Sequence, residues 1–428
     1  MTMLDTTSTV AVSLYALLST AYKSMQAVYS LPTDVSLASH GLGGFDELPS
    51  VDVIVPSFNE DPRTLSECLA SIAGQEYGGR LQVYLVDDGS ENREALRLVH
   101  EAFARDPRFN ILLLPQNVGK RKAQDRCDQR SAGDMVLNVD SDTILASDVI
   151  RKLVPKNARV AVGRMGQLTG PQPKRQLADP FDDMEYWLAC NEERSQQARF
   201  GCVMFCSGSC VMYRLVSASL LDQYDAQYFR KQRFGEIDIH LSHAEGSFRT
   251  EYRPSAHAAT VVPNKLGPYL GQQLRWARST FRTTLLGAPL PNLNRFLMLD
   301  VVGQNLGPLL LDHSVLTGLA QLALTGTAPW LAALMIVAMT IDRCSVVALR
   351  ARQLRFLGFS LHTFINIFLL LPLKAYALCT LSNIAWLSSL LCWQLESTST
   401  ADARTTECSD MRTASKLSPP PSCQANDV

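Results

Sequence analysis

The chain has 428 residues, a net charge of −1 and only 19% charged residues, which gives no global electrostatic case for a nucleic-acid partner. A mean hydropathy of +0.01 is too apolar for an ordinary soluble enzyme and too polar for a chain made wholly of membrane helices. Two or three domains, part in water and part in lipid, are expected from these values. The 11 cysteines are scattered, with no CxxC pair and no His or Cys partner at zinc spacing beside Cys202, Cys206 and Cys210, so they read as reduced, structural thiols.

The first predicted element is apolar from Val10 to Ala21 and continues weakly past Lys23 to Tyr29, with no basic segment before it. It reads as an uncleaved membrane anchor over residues 1–30. A domain over 45–295 follows. Its first part alternates β-rich runs, VDVIVPSFNE (51–60), LQVYLVDDGS (81–90), NILLLPQN (110–117) and MVLNVDSDT (135–143), with helical patterns. Leu65, Leu69 and Ile72 share one helix face, as do Leu96, Val99 and Phe103. Near-continuous apolar strands separated by helices predict a doubly wound parallel sheet of Rossmann-like α/β type.

Ligands bind such sheets beyond the carboxyl ends of the strands. Those ends carry SFNE with Glu60, DDGS with Asp87 and Asp88, and DSDT with Asp140 and Asp142; QN leads into a basic triplet of Lys120, Arg121 and Lys122. Asp140 and Asp142 share one strand face, since side chains alternate. Two carboxylates so placed repel unless a cation sits between them. A strand end running into a polar turn would explain one such pair, but not three acidic ends and a basic triplet around one crevice. Carboxylates with Mg²⁺ or Mn²⁺ hold a diphosphate through bridging oxygens, and a Lys or Arg neutralises the remainder. No GxGxxG and no GxxxxGK[ST] occurs, so neither a dinucleotide cofactor nor a P-loop is indicated.

Farther along, FGEIDIH (234–240) sets Glu236 beside Asp238, and QQLRWARSTFR (272–282) carries Gln272, Arg275 and Trp276. The latter reads either as part of a binding site or as a membrane-surface helix with snorkelling arginines. Residues 296–385 hold three apolar runs, about Val302–Leu324, Pro329–Leu349 and Phe356–Leu381, each near the roughly 20 residues a spanning helix needs. Arg343, Arg350, Arg352 and Arg355 surround the second connection, whereas TGTAPW between the first two runs has no charge. Basic loops stay in the cytoplasm, which puts the 45–295 domain there too. Asp312 and His313 fall in mid-span and are expected to face protein rather than lipid. The Ser-, Thr- and Pro-rich tail over 394–428 reads as disordered.

The combination DDGS, DSD, an acidic pair, and Gln272-x-x-Arg275-Trp276 before membrane helices resembles the processive inverting glycosyltransferases, the family of cellulose, chitin and hyaluronan synthases. Longer words (DVIVPSFNEDP, NVGKRKAQ, DMEYWLACNEER, QQLRWARSTFR, LPLKAYALCTLSN) resemble the rhizobial nodulation N-acetylglucosaminyltransferases up to about Asn383. The resemblance implies a glycosyltransferase-A fold flanked by transmembrane helices in the bacterial inner membrane, with a cytoplasmic catalytic domain. It implies UDP-N-acetylglucosamine as donor, Mg²⁺ or Mn²⁺ as cofactor, and a growing chitin oligosaccharide, the backbone of nodulation factors, as product. Asp140 and Asp142 then match the metal and diphosphate pair, and Glu60, Asp87, Asp88, Lys120 and Arg121 the donor site. Gln272, Arg275 and Trp276 match the motif for leaving diphosphate and acceptor sugar. The general base aligns with Asp238, with Glu236 beside it across an intervening Ile237. A polymer synthase for another UDP-sugar, or a membrane protein that binds nucleotide sugar without transferring it, are the competing expectations.

Overall fold

A computed structural model of the chain describes residues 3–30, 48–128, 132–154, 160–167, 189–199, 210–214, 250–260, 266–287, 295–352, 354, 356–357 and 365–381. The sheet domain is built on β1 (Val51–Ser57), α2 (Pro62–Ala73), β2 (Leu81–Asp87), α3 (Arg93–Phe103), β3 (Phe109–Leu113), α4 (Lys120–Asp128), β4 (Met135–Val139), β5 (Thr143–Leu145), α5 (Val149–Leu153) and β6 (Val160–Gln167). A π-type turn (Ala189–Arg194) then leads into α6 (Ser195–Arg199), followed by β7 (Cys210–Arg214) and β8 (Thr250–Thr260). Before all of these runs α1 (Met3–Tyr29). After them come α7 (Leu266–Gly287), α8 (Arg295–Thr325), α9 (Trp330–Ala351) and α10 (Leu371–Cys379).

The strands form one eight-stranded sheet in the order β3-β2-β1-β4-β7-β6-β8-β5. The expected parallel arrangement holds from β3 through β4. Beyond β4 the sheet is mixed: β7 runs antiparallel to both β4 and β6, and β8 is parallel to β6 but antiparallel to β5. That half is paired between segments far apart in the chain, which local periodicity does not encode.

Alternation along the parallel strands assigns the two faces. Val51, Val53, Val55, Val83 and Leu85 pack with Leu65, Leu69 and Ile72 of α2 and Leu96 of α3. Ile54, Val86 and Val136 point the other way, onto Ala123 and Cys127 of α4. Each fully buried Leu, Ile or Val contributes about 1.5–3 kcal/mol. The α2 stripe is framed by Asp61, which caps the helix by accepting from the Arg63 and Thr64 amides at 3.1 and 3.0 Å, and by Pro62 in the first turn. Asp52 is tolerated inside β1 because its Oδ2 accepts the amides of Ala132 and Gly133, both at 2.9 Å.

The long helices make a second layer. α1 lies antiparallel along α8: Ser8 and Ser314 exchange hydroxyl-to-carbonyl bonds of 3.0 and 3.1 Å, and the Tyr22 hydroxyl accepts from Gln304 at 3.2 Å. A Cβ on Gly303 would stand 3.0 Å from the Tyr22 ring, so the close crossing needs glycine. Asp300, buried at the start of α8, accepts from Gln197 of α6 at 2.7 Å, tying this layer to the sheet domain. α7 packs on α10 through Leu274, Ala277, Phe281 and Ala377.

Among the described residues, one helix, Trp330–Arg350, is long and apolar enough to cross a membrane, with mean hydropathy 1.8. The expected first run lies inside the longer α8; the third is helical over Asn366–Cys379. Asp312 is half-buried and feels the charge of Lys374 on α10, whereas His313 is exposed. The expected tail over 394–428 lies outside the described residues.

Candidate active site

Parallel register brings the strand ends level. Ser57 of β1 pairs with Asp87 of β2, and the Asp88 amide donates to Ser57 O at 2.8 Å. The chain leaves β1 and β2 in adjacent loops, and α4 and β4 deliver their first and last residues to the same rim.

Three predicted carboxylates and one predicted cation meet there. Asp140 Oδ1 accepts from Lys120 Nζ at 2.5 Å, with both side chains partly exposed. Glu60 Oε2 accepts from Ser141 Oγ at 2.7 Å. Asp142 is hydrogen-bonded to Thr260 at the end of β8, yet burial, then repulsion from Asp140 and Glu60, pushes its carboxyl up to about 6; Lys120 and Thr260 only partly oppose this. Below them, Cys68 of α2 donates its thiol to Asp140 O at 3.5 Å, and burial pushes that thiol well above its usual range.

The acids after β2 are used differently. Asp87 is fully buried; its Oδ1 accepts the Ser90 amide at 2.7 Å and Arg93 Nη2 at 3.2 Å. Its Oδ2 has no hydrogen-bond partner among the described residues. Asp88, also buried, accepts the amides of Val118 and Gly119 at 2.8 and 2.9 Å; burial raises its carboxyl while these bonds work against the rise. Asp88 therefore holds the β2 loop against the loop that carries Lys120, while Asp87 braces the β2 loop itself. Gly89, at φ +73°, sits between them with no room for a side chain: an added Cβ would lie 2.4 Å from the Gln116 carbonyl carbon. Arg121 follows Lys120 on α4, but its side chain is outside the described residues, as are Glu236 and Asp238 entirely.

Gln272, Arg275 and Trp276 lie on α7. Trp276 is 38% exposed. Two residues not singled out in the sequence also matter. Phe58, 37% exposed just beyond β1, offers a second aromatic face at the rim. Arg278 is buried and donates through Nε and Nη2 to Thr380 Oγ1 at 3.2 and 2.9 Å, with the Tyr376 ring 5.8 Å away. It pins the helix bearing Trp276 to the end of α10. In sequence it was one of several arginines in a basic helix.

The carboxylate cluster fits a divalent cation. Burial and then the charges of Asp140 and Glu60 raise the cost of ionising Asp142, and bound positive charge opposes that cost. Among the described residues no group of three or more His, Cys, Asp or Glu side chains is arranged to hold a metal ion, so at most two carboxylates would bind it and ligand oxygens would complete the coordination sphere, as when Mg²⁺ binds through one or two carboxylates plus phosphates.

Comparison with known proteins agrees with this geometry. Residues 52–219 match the family model described as glycosyl transferase family 2. The chain is 65% identical over 395 residues to an N-acetylglucosaminyltransferase of Rhizobium sp. (strain N33), covering 91% of this chain and 88% of that protein. It is 60% identical to an N-acetylglucosaminyltransferase of Rhizobium meliloti (strain 1021), covering 91% and 92%. Among solved structures, a mannosyltransferase from Pyrobaculum calidifontis in complex with GDP-Man and Mn²⁺ shares the fold at TM-score 0.55 and 18% identity, covering 84% of this chain and 99% of that one. With that degree of identity over nearly the full length of both chains, this protein belongs to glycosyltransferase family 2, among the N-acetylglucosaminyltransferases of rhizobia.

Proposed function

We propose that this N-acetylglucosaminyltransferase draws on UDP-N-acetylglucosamine to build short β-1,4-linked chitin oligosaccharides, the backbone of nodulation factors, while held in the bacterial inner membrane. The observation that carries this reading is the meeting of Glu60, Asp140 and Asp142 with Lys120 at the strand ends, in a chain whose relatives are named N-acetylglucosaminyltransferases. Asp140 and Asp142 would hold Mg²⁺ or Mn²⁺, which would supply Lewis-acid neutralisation of the departing diphosphate. Lys120, which bonds Asp140 at the rim, neutralises the phosphate oxygens, with Arg121 following it on α4. Glu60, Asp87 and Asp88 shape the donor pocket. Trp276 stacks on the acceptor sugar, while Gln272 and Arg275 face the leaving diphosphate. Asp238 takes the proton from the attacking acceptor hydroxyl, so that displacement inverts the anomeric carbon.

Incubating membranes that contain the protein with UDP-N-acetylglucosamine and a divalent cation should yield a short ladder of N-acetylglucosamine oligomers by mass spectrometry, cleavable by chitinase. A product containing another sugar would support a different polymer synthase. No incorporation from any UDP-sugar would leave only a binding role.

The membrane part of the proposal rests on exposed apolar side chains along three helices: Leu14 and Leu17 of α1, Leu316 and Leu319 of α8, and Leu334 and Ile341 of α9. In water such a surface would be unfavourable; in lipid it is the expected one. We assign 1–30 to an anchor, 45–295 to the cytoplasmic catalytic domain, 296–385 to the C-terminal helices and 394–428 to a tail. The basic end of α9 supports that orientation. Arg350 donates to Ser30 Oγ at 2.7 Å, and Ser30 O accepts from Ser195 of α6 at 3.4 Å, so the arginine-rich end lies with the catalytic domain. Topology reporters fused after Arg352 and beyond Gln394 should therefore give opposite signals, cytoplasmic at the first; identical signals would mean a different number of spans.

A further inference from the structure

The loop between β1 and α2 contains an unusual backbone. Asn59 has φ +52°; among the described residues, the other non-glycine residue with positive φ is Arg352. Arg352 closes helix α9, where a left-handed residue is a common way to end a helix. Asn59 ends no helix. It follows Phe58 at the rim and precedes Glu60, one of the three carboxylates of the crevice. Left-handed conformation is unfavourable for L-residues, least so for Asn and Asp, and such outliers persist where surrounding structure over-determines them.

Three hydrogen bonds over-determine this one. The Asn59 amide donates to Ser90 Oγ at 2.9 Å, its Oδ1 accepts the Glu91 amide at 2.7 Å, and Glu60 O accepts from Asn92 Nδ2 at 2.8 Å. Ser90 is itself buried, and its amide binds Asp87 Oδ1 at 2.7 Å. The turn therefore stitches the β1 loop, with Phe58 and Glu60, to the β2 loop, with Asp87 and Asp88. Glycine would adopt the same backbone at no steric cost. What asparagine adds is the side-chain carbonyl on the Glu91 amide.

We propose that Asn59 is a positioning residue for donor binding: its side chain clasps the loop after β1 to the loop that buried Asp87 anchors, so that Phe58 and Glu60 are held facing the nucleotide sugar. This rests on reading the crevice as the nucleotide-sugar site. Two variants separate its parts. Asn59→Gly keeps the left-handed turn and loses the clasp; Asn59→Ala loses the clasp and strains the turn. In membranes of the full-length protein, N59G should raise the KM for UDP-N-acetylglucosamine and weaken UDP binding by about two- to tenfold, the range for one intramolecular hydrogen bond. Turnover at saturating donor, acceptor KM and melting temperature should stay close to the unmodified values. N59A should show the same KM effect with a lower melting temperature. Wild-type UDP affinity in N59G would overturn the proposal, as would equal losses in every parameter that track the amount of folded protein. If the unmodified protein binds UDP but N59G binds it equally well, the clasp alone is wrong; if the unmodified protein binds no UDP, the site reading falls and the clasp with it.

Discussion

Replacing Asp142 by alanine should abolish transfer while leaving the protein folded, and an excess of a divalent-cation chelator should do the same to the unmodified enzyme. The size of the effect follows from what the site does to charge. Departure of a nucleoside diphosphate develops negative charge, and removing one preorganised stabiliser of such charge costs about 10²–10³ in turnover. Asp142 is well placed for that role and badly placed for stability. Its carboxyl is buried and repelled by Asp140 and Glu60, with Lys120 as partial compensation. Taking it away relieves repulsion, so the melting temperature of Asp142→Ala should match or exceed the unmodified value, the trade expected where function strains a site. Transfer assays with added Mn²⁺ or Mg²⁺, run beside thermal melts, check both halves. Full activity in excess chelator would remove the cation from the mechanism.

Asp238→Asn should lower turnover by about 10²–10⁴-fold with donor binding little changed, the range for loss of a general base. Glu236→Gln should be milder. The two acids are separated by Ile237, and the proton transfer is assigned to Asp238. The spacing Asp238-x-His240-Leu241 favours Asp238. Turnover and UDP affinity measured side by side distinguish a lost base from a damaged pocket. The reverse ranking, with Glu236→Gln inactive and Asp238→Asn active, would exchange the roles. Should the unmodified protein be inactive, deleting Ile237 becomes the test, and recovered activity would show that this insertion displaces the base.

Several features were legible because their cause is local. Alternation within VDVIVPS and LQVYLVD put one set of side chains against α2 and α3 and the other toward α4. The Leu65, Leu69 and Ile72 stripe needed only the helical period. Asp140 and Asp142 were readable as neighbours because two residues along a strand return to the same face. Other features depend on partners distant in sequence. In sequence Asp87 and Asp88 resemble Asp140 and Asp142, acids at a strand end. The fold buries the first pair, committing Asp88 to amides 30 and 31 residues away and Asp87 to Ser90 and Arg93. Arg275 and Arg278 are likewise alike on paper, and contact with Thr380, 102 residues on, makes one an anchor. The antiparallel half of the sheet has the same origin, since β7 meets β4 across 70 intervening residues. The sequence by itself determined the strand-end chemistry and the helix faces, because both follow from the periodicity of the backbone. Only the tertiary structure decided which acids stay partly exposed at the crevice and which are buried holding the loops, because that depends on which amides and cations the folded chain brings within hydrogen-bonding distance.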